Sequence, residues 1–260
     1  MMRKLFVLLW ALATFVAAHA QAQPPAVSPG DINAAGELRM LSQRLAKSYV
    51  QLGLEVLPAA ALDQLQDSIL RFELGLGRMQ ALTVAVPSAG PAVGRLRNDW
   101  SALRTVVAEP ADRTRALLAS QHSLAVLDGA ERLVAALADA AGGGDARRIG
   151  EVGRLRMLSQ RVVKAYMLYS WGADTAASHR EMEAAADEFG RGLAAVAALP
   201  GTTADVRAEI AEISLQWEWL RTALSVEGAG SYRLVVAEAA ESILAATDRL
   251  VRLHEPPQSR

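Results

Sequence analysis

The sequence predicts an all-α protein: two tandem up-down-up-down four-helix bundles, side by side as an intrachain pseudo-dimer. Three observations predict it. Ala, Leu and Val are abundant and only 5% of the 260 residues are aromatic, which favours helix over sheet. Prolines and glycines cut the chain into helix-length stretches. Above all, the chain repeats itself: Leu38-Arg-Met-Leu-Ser-Gln-Arg44 recurs as Leu155 to Arg161, 117 residues later. At that same offset Gly36 matches Gly153, Lys47 matches Lys164, Tyr49 matches Tyr166 and Phe72 matches Phe189. Trp100 matches Trp217 and Arg132-Leu-Val134 matches Arg249-Leu-Val251, with no gap anywhere. Such a period marks a duplicated structural unit.

Residues 1–22 read as a signal peptide, with Arg3 and Lys4 before an apolar run from about Leu5 to Ala18 and small-x-small sites ending at Ala20 and Ala22. That run is shorter than the ~20 residues of a membrane span. Residues 23–140 form the first bundle, 141–147 a glycine-rich linker and 148–260 the second bundle. The first unit's helical stretches are about 31–57, 61–84, 90–108 and 111–140, broken at Pro58, Pro87, Pro91 and Pro110. The second unit's are about 146–172, 175–199, 203–226 and 230–254, broken at Gly172, Pro200-Gly201 and Gly228 to Gly230. An even number of antiparallel helices returns the chain to its starting end. A short linker then sets the two units parallel, as in a homodimer fused into one chain, and ligand sites often form between such halves.

The composition excludes several function classes. The absence of cysteine rules out disulfides and thiolate chemistry. Basic and acidic residues number 27 and 28, so nothing points to nucleic acid. The four histidines form no repeated metal-ligand pattern, and no P-loop, dinucleotide or nucleophile-elbow motif occurs. No enzyme, catalytic residue, metal or cofactor is expected. A cysteine-free exported chain suits the periplasm. Trp100, Trp217 and Trp219 are expected to pack between helices.

On the first helix, Leu38, Leu41, Leu45, Tyr49 and Leu52 make one apolar stripe that faces its own bundle core. Asn33, Gly36, Met40, Arg44, Lys47 and Gln51 lie opposite. A glycine and a methionine repeated on a face that also carries two cations predict the surface where the units meet. Arg39 and Arg156 sit off the centre of that face, with long side chains.

The stretch Asp31-Ile-Asn-Ala-Ala-Gly-Glu-Leu-Arg-Met-Leu-Ser-Gln-Arg-Leu-Ala-Lys-Ser-Tyr49, echoed from Gly153 to Tyr166, resembles the signature of the PilJ-type sensor domain, the N-terminal domain of type IV pilus methyl-accepting chemotaxis transducers. It is also similar to the nitrate-sensing segment of the NarX and NarQ kinases. The resemblance implies bundles that pair through their first helices, with one small oxyanion held there by arginines. Carried onto this chain, the anion-binding positions are Arg44, Arg161, Arg39, Arg156, Gly36 and Gly153, with Arg44 and Arg161 in direct contact. Gln43 and Gln160 depart from the kinases, which carry an aromatic residue there.

Two guanidinium groups about 6 Å apart repel by roughly 3 kcal/mol at an effective dielectric of 20, so the pair must splay, bind an anion or recruit counter-ions. Two functions follow. In the first, an exported binding protein holds a nitrate-like oxyanion and signals through a partner, the periplasmic face of a membrane receptor or sensor kinase. In the second, a protein-interaction module of a type IV pilus chemosensory system binds no small ligand.

Overall fold

Helix boundaries follow local chemistry. The computed structural model describes residues 27–225 and 232–254. The first helix, α1 (Pro29–Gly53), opens on a capping box in which the Ser28 hydroxyl accepts from the Asp31 amide and the Asp31 carboxylate accepts from the Ser28 amide. Next come α2 (Pro58–Leu82), one 3₁₀ turn at Pro87–Ala89, α3 (Gly90–Val107) and α4 (Arg113–Ala140). The second unit holds α5 (Asp145–Ser170), α6 (Thr175–Ala197), α7 (Ala204–Leu224) and α8 (Tyr232–His254). Asp112, Asp174 and Thr203 cap α4, α6 and α7 through their side chains. Every regular element among the described residues is helical.

The boundaries around Pro58 and at the linker differ from the sequence reading for local reasons. The first stretch ends at Gly53 rather than residue 57, because Glu55 and Leu57 adopt positive φ to deliver Pro58 to the first turn of α2. Residues 145–147, assigned to the linker, already belong to α5. The turn itself is Gly142-Gly143-Gly144, with φ of +82°, +74° and +59°, a run that only glycine tolerates without strain. The expected signal peptide and the expected break at residues 228–230 lie outside the described residues.

Each unit is a four-helix bundle in which the first helix packs on the second and fourth, and the third on the fourth. The duplication is visible in the packing. Phe72 stacks on Trp100 with centroids 4.1 Å apart, and Phe189 meets Trp217 at 4.2 Å. Trp219 corrects the sequence reading: it stands 55% exposed on the outer face of α7, two residues from the inward-facing Trp217 and so on the opposite side of the helix.

Among the described helices the broadest contact joins the units, α1 against α5. The two helices run parallel and in register. Asn33 near the start of α1 meets Arg156 of α5, and Gly53 at its end lies under Trp171 just beyond α5. α1 is therefore enclosed by α2, α4 and α5, and its buried positions include Arg39, Gln43 and Lys47 as well as leucines.

Gly75 and Gly192 let the second helix approach the first. A Cβ on Gly75 would stand 2.8 Å from Leu38 Cδ2, and one on Gly192 3.0 Å from Leu155 Cδ2. On the same helix, Gly77 is exposed with nothing within 4 Å. Gly77→Ala is expected to stabilise the protein by up to about 1 kcal/mol through helix propensity. Gly75→Ala is expected to lose about 1–3 kcal/mol to overpacking. Urea unfolding of the two variants checks the opposite signs.

Candidate functional site

The seam between α1 and α5 is built around four cations that water scarcely reaches. Lys47 and Lys164 are wholly buried, and the Arg39 and Arg156 side chains are 3% and 6% exposed. Buried charge is tolerated only with partners, and each of the four has a carboxylate.

The arginines sit in a reciprocal clasp. A helical side chain leans toward the N-terminus and covers the preceding turn, so Arg39 lies over Gly36 and Arg156 over Gly153. Both guanidinium groups come within 3.7 Å of the position a Cβ on either glycine would take. Arg39 is fixed by Glu131 of α4 at 2.9 Å and donates across the seam to the Gly150 carbonyl at 2.7 Å. Arg156 is fixed by Asp248 of α8 at 3.1 Å and donates across the seam to Asn33 Oδ1 at 2.6 Å. Glu131 and Asp248, like Asn33 and Gly150, are related by the 117-residue offset. The clasp thus has pseudo-twofold symmetry. In both arginines the buried Nε–H finds no acceptor among the described residues.

One turn further on, Ser42 and Ser159 return their hydroxyls to the Arg39 and Arg156 carbonyls. Gln43 and Gln160 donate to the backbone carbonyls of Ser123 and Ala240 on the fourth helices. Here the symmetry breaks. Lys164 Nζ reaches Gln43 Oε1 at 2.9 Å, Ser123 Oγ at 3.3 Å and Glu181 at 3.0 Å. The matching positions around Lys47 hold Ala240 for Ser123 and Gln64 for Glu181. Lys47 turns instead to Glu241 of α8, and Gln160 Oε1 is left without a donor among the described residues.

Arg44 and Arg161 are not the arginines that converge. Arg44 is held by Asp67 at 2.8 Å and Glu241 at 2.9 Å, and Arg161 by Glu181 at 3.1 Å. Their place on the helical wheel is right for the seam, but carboxylates of α2, α6 and α8 intercept them. Arg39 and Arg156 looked peripheral because the wheel plots Cα direction, not the reach of a side chain over a glycine. The signal for them was the Gly-x-x-Arg spacing itself. The sequence reading also missed Glu131 and Asp248, although an acid precedes Arg-Leu-Val in both units.

Electrostatics follow from these pairs. Burial lowers the Lys47 and Lys164 ammonium pKa values, opposed by Glu241 and Glu181. Burial alone would raise the two carboxyls. The charges of Lys47 and Arg44, and of Lys164 and Arg161, outweigh it and hold both below the ordinary glutamate value.

A family model described as the type IV pili methyl-accepting chemotaxis transducer N-terminal domain, PilJ, matches residues 30–133 and again 140–253. The chain belongs to the PilJ family. No curated protein and no solved structure gives a significant match. PilJ is a sensory domain of a chemotaxis transducer rather than a catalytic family, and here two copies stand in tandem. The clasp lies where the two PilJ copies meet. Among the described residues no helix is long and apolar enough to cross a membrane, and no group of histidine and carboxylate side chains forms a metal cluster.

A depressed carboxylate stabilises the fold fully above its unfolded pKa, ~4.3 for glutamate, and that contribution is lost as pH falls through the folded value. The protein is therefore expected to lose stability steeply below about pH 4. Glu241→Gln is expected to cost about 3 kcal/mol at neutral pH, because Lys47 loses the carboxylate that offsets its burial, and to flatten the acid limb. Denaturant unfolding across the acid range measures both; parallel acid limbs would remove Glu241 from this role.

Proposed function

We propose that this tandem PilJ protein is an exported, periplasmic interaction module of a type IV pilus chemosensory system, docking the periplasmic part of a membrane receptor without a small ligand. Its two bundles divide at the glycine turn, and the signal-like N-terminus directs export. The observation that carries this reading is the compensation of charge in the seam. Arg39, Arg156, Lys47 and Lys164 each have a carboxylate of this chain, so no anion is needed to hold α1 and α5 together. The relative setting of α1 and α5 is then the state a partner reads.

A second reading has one specific observation in its favour. The Nε–H groups of Arg39 and Arg156 are buried donors without acceptors among the described residues, on guanidinium groups that occupy the room two glycines leave. A nitrate-like oxyanion between them would accept charge-assisted hydrogen bonds, with Gly36 and Gly153 as its cradle and Arg44 and Arg161 as flanking charges.

Calorimetric titration of residues 23–260 with nitrate, nitrite and chloride separates the readings, run beside the Arg39→Ala/Arg156→Ala and Arg44→Ala/Arg161→Ala variants. The interaction module predicts no saturable heat with any anion and co-sedimentation with the periplasmic domain of a PilJ-type transducer. Saturable binding of one nitrate per chain, abolished in the Arg39/Arg156 variant, would replace it with the oxyanion sensor.

A further inference from the structure

The two units differ in chemistry along their second and third helices. In the first, Glu73 on α2 reaches Arg104 on α3 at 3.5 Å. The 117-residue offset carries Arg104 onto Arg221 but Glu73 onto Gly190. Arg221 consequently has no cross-helix carboxylate among the described residues; the acid it approaches is Glu218 of its own helix, at 3.9 Å. Three leucines on the outer side of α2, Leu62, Leu70 and Leu74, become His179, Asp187 and Arg191 on α6. A cleft of about 1370 Å³ opens at this point between α5, α6, α7 and the start of α8.

Its floor is made of Tyr166, Met182 and Trp217, all buried. In the first unit the equivalent tyrosine is spent on the fold: Tyr49 Oη donates to the carbonyls beyond α3, with Glu109 at 3.0 Å and Pro110 at 3.2 Å. Tyr166 donates to no described residue. The Trp217 indole N–H also has no acceptor among the described residues, and Nε1 lies 3.9 Å from where a Cβ on Gly190 would stand. Two neutral donors and the Arg221 guanidinium thus face a single water-filled cleft with no hydrogen-bond acceptor among the described residues, which leaves them available to a ligand. The acids of the cleft are less available. Glu183 lies 3.3 Å from His179 Nδ1, and Asp187 sits at the exposed rim one turn from Arg191. Arg233, on the far wall, adds positive charge while donating to Ser170 at the end of α5.

We propose that this cleft binds a small organic carboxylate with an aromatic or branched apolar body. Arg221 supplies the counter-charge, Tyr166 and Trp217 supply hydrogen bonds, and Met182 and the two rings receive the apolar part. The site belongs to the second unit alone and is independent of the α1–α5 seam.

Benzoate is the first probe, with benzylamine and benzyl alcohol as controls, followed through the Trp217 indole resonance assigned by Trp217→Phe. The expected result is a saturable benzoate shift with Kd below about 1 mM, little response to the controls, and at least tenfold weaker binding in Gly190→Glu and in Arg221→Gln. Gly190→Glu installs the residue that the first unit carries at this place, so the bundle is expected to accept it. Arg221→Gln removes the charge without filling the cleft. No benzoate response, an equal response to benzylamine, or undiminished binding in both folded variants would overturn the proposal. Arg39→Ala/Arg156→Ala is expected to leave the benzoate response unchanged, which separates this site from the seam.

Discussion

Four cations held out of water between α1 and α5 set the terms for the surrounding structure. Desolvating a charge costs several kcal/mol even after relaxation, and Arg39, Arg156, Lys47 and Lys164 all incur that cost in one seam. The bundles answer with carboxylates drawn from several helices: Glu131 from α4, Asp248 and Glu241 from α8, and Glu181 from α6. None of these acids lies on α1 or α5. Three of those pairs close within one bundle, but Lys47–Glu241 and the Arg39–Gly150 and Arg156–Asn33 hydrogen bonds cross the seam, so it is fully satisfied only when both bundles are folded and correctly placed.

The same pairs specify which helix meets which. Glu37 of α1 pairs with Arg71 of α2, and at the equivalent place in the second unit the polarity is reversed, with Arg154 of α5 on Glu188 of α6. The reversal leaves each pair intact within its bundle. It also puts a cation of α5 beside Glu131 of the first unit, at 2.8 Å. By the pseudo-symmetry, α1 meeting a second α1 would set Glu37 against Glu131 instead, two like charges. Pairing of unlike units is thus favoured by charge as well as by shape.

The fold was legible because duplication doubles every signal. Phe72 and Phe189, Trp100 and Trp217, and Gly75 and Gly192 recur at one offset, and each pair does the same packing work twice. The site was legible in part. Gly36, Gly153 and the neighbouring arginines stood out as residues ill-suited to either a core or a solvated face. What one helix cannot reveal is the partner on another. Whether Arg39 or Arg44 enters the seam depends on where Glu131, Asp67 and Glu241 arrive, and those acids lie up to about 200 residues away in sequence. The exposed Trp219 was misjudged for a simpler reason, since composition says how much aromatic surface exists but not which turn of the helix presents it.

Fusing two copies into one chain also releases them from identity. In a homodimer a substitution appears twice, so a residue that improves one side of a twofold axis burdens the other. In this chain Ser123 can serve Lys164 while its counterpart is Ala240, and Glu181 can serve Lys164 while its counterpart is Gln64. Away from the seam the freedom is greater. The first unit keeps Glu73 to bridge α2 and α3 and spends the Tyr49 hydroxyl on its backbone, whereas the second has Gly190 and leaves Tyr166 facing a cleft. Symmetry is retained in the arginine clasp, is relaxed at the lysines one turn on, and is lost most freely where each unit faces solvent alone. The duplicated clasp can therefore remain a joint while one bundle acquires chemistry that the other lacks.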